Sequence, residues 1–146
     1  MSLDHDFLLL DCIIDRDVDL SQFVNDSRAL KLHDDVVRYM TDTLVWIPCF
    51  NPSRWEKCDG LNMWGVTLIR EDGASIAQSI FRSWANLFAS GPEVLNLQGN
   101  FDLEKERHDR FKLSRDDCVD TLNQIAGYLT QVQESKGNLT VLHFGV

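Results

Sequence analysis

Two stretches of this chain carry apolar residues at helical spacing over a length that forces a packed interior. From residue 72 to about 89 the stripe is Ala77, Ile80, Phe81, Trp84, Leu87 and Phe88, with Asp72 placed to cap it and Ser90-Gly91-Pro92 to end it. From residue 114 onward a second stripe runs through Val119, Leu122, Ile125, Ala126, Leu129 and Val132. Ser114 and Asp117 resemble a capping box at its start, and Gly137-Asn138 closes it. Faces this wide cannot stay in water, so each helix must lie against another apolar surface.

The remaining apolar runs supply that surface. A third, shorter helix is expected over 33–45 from Val36, Val37, Met40 and Leu44, with Asp34 and Asp35 in its first turn and Pro48 beyond its end. Residues 61–69, enriched in β-branched side chains towards Ile69, read as a buried strand, as do 93–99 and 139–144. Residues 7–20 read as extended or mixed, because Asp15, Asp17 and Asp19 alternate with Ile14, Arg16, Val18 and Leu20. Pro52 and Gly60 bracket an irregular loop around Trp55, and the charge-rich stretch 101–112 reads as a surface loop or hairpin. The order implies one domain of α/β or α+β class, a single sheet of about four strands packed with about three helices.

Charge then restricts the partners. The chain of 146 residues holds 23 Asp and Glu against 14 Lys and Arg, a formal net charge of -9. Such a surface repels nucleic acid and anionic lipid but is steered quickly onto a basic protein. The longest early apolar run is broken by Asp11 and is too short to span a bilayer, and its flank Asp4-His5-Asp6 is acidic where a secretory signal would be basic. The expected location is therefore cytoplasmic. Cys12, Cys49, Cys58 and Cys118 accordingly read as free, mostly buried thiols.

No residue pattern names a reaction. Asp15, Asp17, Asp19 and Asp26 approach a calcium loop, but Leu20 stands where the turn glycine is needed and Asp26 where the bidentate Glu belongs. Cys49 and Cys58 with His33 lack the close spacing of a zinc site, and there is neither a Gly-x-Ser-x-Gly elbow nor a glycine-rich phosphate cradle. No catalytic residue, metal or cofactor is assigned. The alternative reading is a small enzyme or ligand-binding domain using Cys118, near the start of the last helix, or a carboxylate with a His. Trp55, in a loop among charged neighbours, suits either an interface anchor or a lid over the core. The residues assigned to partner binding are Asp15, Asp17, Asp19, Asp34, Asp35 and Trp55.

The segment Gly60-Leu61-Asn62-Met63-Trp64-Gly65-Val66-Thr67-Leu68-Ile69 is followed by Trp84-Ala85-Asn86-Leu87-Phe88, Gly91-Pro92 and Leu97-Gln98-Gly99. Over this middle third, about residues 60–102, the chain resembles small bacterial immunity proteins encoded beside polymorphic or contact-dependent toxins. The resemblance implies a non-enzymatic cytoplasmic antitoxin that binds a toxin domain, such as a basic nuclease, and blocks its active site. These families share no catalytic residues, so none carries over.

Overall fold

The computed structural model describes residues 3–12 and 14–146; Ile13, inside the expected extended run, lies outside them. The strands are β1 (Asp4–Leu10), β2 (Leu30–His33), β3 (Pro48–Asn51), β4 (Glu56–Asp59), β5 (Val66–Ile69), β6 (Val94–Asp102), β7 (Arg107–Ser114) and β8 (Thr140–Phe144). The helices are α1 (Asp34–Leu44), α2 (Glu71–Ala89) and α3 (Arg115–Glu134). β6 and β7 form a separate two-stranded sheet, and the other six pair in the order β2-β1-β8-β5-β3-β4. Among the described residues every pairing is antiparallel, so the class is α+β, with three helices as expected, but with two sheets in place of one and more strands than four.

Both faces of the six-stranded sheet are covered, which is why its central strands lack a clean polar alternation. On one face Phe7 and Val141 meet α1, α2 and α3 in the main core. There Ala77, Ala85 and Ala126, all fully buried, let α2 and α3 approach closely, while Phe7 meets Phe81 edge to face at 5.6 Å. On the other face Leu8, Leu10, Leu68 and Leu142 form a second core under Ile14, with Val18, Leu20, Phe23 and Phe50 packed against it.

Local chemistry explains the termini of the helices. The Ser114 side chain accepts from the Asp117 N–H at 3.2 Å, the expected cap of α3. α2 begins two residues earlier than Asp72 as the cap would set it, with Arg70 at the cap and Asp72 inside the first turn. Gly73 lies where that turn crosses β3, and a Cβ there would overlap the Pro48 carbonyl oxygen.

Three expectations are corrected. The alternating acids of 15–19 form no strand: the Asp15 carboxylate accepts from the Asp17 N–H at 2.9 Å, and Asp19 accepts from the Ser21 N–H at 3.0 Å to start a 3-10 helix, Leu20–Phe23. These side chains satisfy the local backbone in place of a neighbouring strand. The region around Trp55 is a tight hairpin, β3–β4, not an irregular loop. The strand expected over 61–69 shortens to β5, because Asn62 donates its N–H to the Thr67 hydroxyl at 2.8 Å and folds the preceding residues across.

Candidate functional site

The second core is roofed from two sides, by residues 14–29 and by the β3–β4 hairpin. Between these roofs lies a cleft of about 640 Å³, lined among others by Cys12, Ile14, Trp55, Arg70, Glu71 and Asp72. Trp55 is half-buried and folds back over the sheet, with its ring edge to face against Phe50 at 5.0 Å. The Arg70 guanidinium sits 3.9 Å from the Phe50 ring centre and 5.7 Å from that of Trp55, and Arg16 approaches Trp55 from the opposite roof at 5.9 Å. Trp55 holds a φ of 56°, a left-handed conformation that costs a side chain of this size on the order of 1–2 kcal/mol. The aromatic and cationic packing around it offsets that strain.

The assigned residues fall in separate places. Asp15, Asp17 and Asp19 are exposed on the roof that carries Arg16, so the structure brings them to the Trp55 side of the sheet. Ser21 hydrogen bonding holds the Asp19 carboxyl below its usual range, and Arg28 holds Asp26 down at about 2. Asp34 and Asp35 lie on α1, across the sheet. Asp35 is half-buried beside His33, whose Nδ1 accepts the Asp35 N–H at 3.1 Å. Asp34 is buried at 3% exposure and both its oxygens are engaged, which removes it from any partner-binding surface.

What Asp34 holds is a buried polar chain that the sequence did not reveal. Arg38 Nε donates to Asp34 Oδ2 at 2.8 Å, and Asp34 Oδ1 receives His5 Nε2 at 2.9 Å. His5 Nδ1 then lies 2.8 Å from His143 Nε2, with the two rings stacked at 5.1 Å. Both imidazoles are fully buried, and His143 Nδ1 has no hydrogen-bond partner among the described residues. Because His5 Nε2 carries the hydrogen given to Asp34, one further hydrogen is shared between His5 Nδ1 and His143 Nε2. Burial, reinforced by His5, pushes His143 well below the ordinary histidine value, so it stays neutral. At the outer end of the chain, Arg38 bonds the Asn100 side chain and the Tyr39 hydroxyl accepts the Gln98 N–H at 2.6 Å, both at the bulge of β6.

The four cysteines are free, as expected, and differ in burial. Cys118 is buried and burial pushes its thiol up to about 11, the opposite of what a nucleophile needs. Cys49 is buried with its thiol pushed up to about 12 by desolvation, Cys58 is half-buried and raised for the same reason, and Cys12 is exposed at the cleft.

Among the described residues no group of three or more His, Cys, Asp or Glu is arranged to hold a metal ion. Among the described residues no helix is long and apolar enough to cross a membrane. No protein-family profile, curated sequence or solved structure matches this chain.

Proposed function

We propose that the protein is a binding protein of the immunity type, which neutralises a basic toxin domain by covering it. The observation that carries this reading is the makeup of the cleft and its border: Glu71, Asp72 and the half-buried indole of Trp55 line it together with Ile14, and the exposed Asp15, Asp17 and Asp19 follow Ile14 on the segment whose Arg16 reaches the Trp55 ring. An acidic rim gives fast, oriented encounter with a basic surface, and a rigid aromatic beside it gives the apolar anchor that slows release. Arg16 and Arg70 keep their charge over the aromatic rings, and the five carboxylates of Asp15, Asp17, Asp19, Glu71 and Asp72 outnumber them.

The test is association of the purified protein with the product of the gene immediately upstream, followed by stopped flow at low and high salt. Replacing Asp15, Asp17 and Asp19 together by Asn is expected to slow association about tenfold at low salt and to flatten its salt dependence, with dissociation little changed. Trp55→Ala is expected to speed dissociation instead. Association and salt dependence that ignore the triple substitution would remove the acidic roof from the interface, and failure of the wild-type protein to bind a folded neighbour would end the immunity reading.

A further inference from the structure

Cys49 and Cys58 face each other across the β3–β4 hairpin, in register as direct partners. Gly60 donates its N–H to the Ile47 carbonyl at 2.9 Å, two residues further along each strand, so the alternation of an antiparallel ladder makes 49/58 a hydrogen-bonded pair. Direct partners of that kind stand about 5.5 Å apart at Cα, inside the span a disulfide accepts, with both side chains on one face of the sheet. Both cysteines also line one cavity of about 260 Å³, together with Pro48, Lys57, Asp59 and Asp72. The proximity is felt electrostatically, since Cys58 is among the causes that raise the Cys49 thiol.

We propose that Cys49 and Cys58 are a redox pair that closes reversibly into a cross-strand disulfide on exposure to a small-molecule disulfide of the glutathione class. Cys58, half-buried on a strand with one neighbour, is the thiol an oxidant reaches first; Cys49 is buried behind it. The Cys58 thiolate attacks one sulfur of the small disulfide and expels one thiol, leaving a mixed disulfide. The Cys49 thiolate then attacks the Cys58 sulfur and expels the second thiol. Two protein thiols are oxidised, one small disulfide is reduced to two thiols, and the two protons lost by the cysteines end on the expelled thiols.

Two physical features set the character of this bond. Side chains opposite each other in a ladder hold their Cβ atoms about 4.5–5.5 Å apart, widest at hydrogen-bonded pairs, whereas a relaxed disulfide needs about 3.8 Å. Closure therefore draws β4 towards β3, which an edge strand allows, and leaves a strained bond of the kind that is readily reduced. Desolvation of both thiols makes closure slow at neutral pH and faster as pH rises. The closed pair would fasten the hairpin that carries Trp55 at its turn.

The experiment uses the full-length Cys12→Ser protein, which removes the exposed competing thiol, incubated with oxidised glutathione at pH 8.5 and digested without reduction. The expected product is a linked peptide pair containing Cys49 and Cys58, 2 Da lighter than the reduced pair, which mild dithiothreitol reverses while far-UV circular dichroism stays native. Cys58→Ser in the same background is expected to leave Cys49 unlinked, and forming the linked pair is expected to be several-fold faster at pH 8.5 than at pH 7.5. Glutathione remaining on Cys58, a linkage through Cys118, or linkage only after the fold is lost would each overturn the proposal.

Discussion

His143 offers a quantitative handle on the fold through acidity. Its ring is fully buried between β1 and β5, against His5 and Phe7, and is held neutral well below the ordinary histidine value by desolvation first and by His5 second. An unfolded chain takes up a proton on this ring near pH 6.5, so below that value unfolding binds a proton that the folded state refuses. Its contribution to stability is therefore complete above pH 6.5 and is lost as pH falls below it. One pH unit below 6.5 costs up to about 1.4 kcal/mol, a sizeable share of the roughly 5–15 kcal/mol that holds a domain together. For a chain of this length that corresponds to a fall in Tm of roughly 3–6 °C between pH 7.5 and 5.5. The assay is urea unfolding across that range, on wild type and on His143→Leu, which keeps an apolar shape and removes both nitrogens. The range isolates the imidazoles, because the lowered carboxyls of Asp19, Asp26 and Asp102 lose their contribution only at lower pH. The variant is expected to lose about 1.4 kcal/mol of the pH dependence whatever its absolute stability. An unchanged slope in the variant would refute the claim that this ring is buried neutral.

Two further outcomes follow from positions where effects compete. Gly73→Ala would stabilise an open helix by up to about 1 kcal/mol, but the new Cβ meets the Pro48 carbonyl oxygen, so a net loss of about 1–3 kcal/mol in thermal melting is expected, and a gain would show that α2 and β3 are not in contact there. Asp34→Asn keeps the shape but strips the charge between Arg38 and His5, and chemical denaturation is expected to show a loss of roughly 3–5 kcal/mol; a change within 0.5 kcal/mol, about what a solvated surface acid gives, would contradict the burial of the pair.

The helices were legible because their burial is written as a stripe. α2 and α3 each bury one face on the other and on the sheet, so Phe81 or Leu129 can be assigned to the core from spacing alone. The strands were legible only where packing required apolar residues. β4 reads Glu-Lys-Cys-Asp, since an edge strand joined to the sheet on one side needs little apolar surface, and it therefore looked like loop. Asp15, Asp17 and Asp19 made the opposite error, because turn-forming carboxylates every second residue copy the period of a strand. At the site, Trp55 and the acidic roof were visible as composition, and only the fold showed that Arg16 and the cleft link them. Asp34 beside Asp35 looked like a pair of dipole-complementing acids. Its real partners are Arg38 and His5, and the ring beyond, His143, lies 138 residues from His5 in the chain.

The place of β8 in the sheet has a consequence for how the chain reaches its fold. Asp6 pairs with Phe144 and Val66 also pairs with Phe144, so among the described strands β8 alone joins the β2-β1 side of the sheet to the β5-β3-β4 side. The β3–β4 and β6–β7 hairpins and the α2–α3 pair can form early from nearby residues, whereas the sheet closes only when residues 140–144 arrive. During synthesis β1 can pair with β2 early, but its other edge must wait with unpaired backbone groups until residues 140–144 emerge, an interval in which chaperones would have access to that open edge.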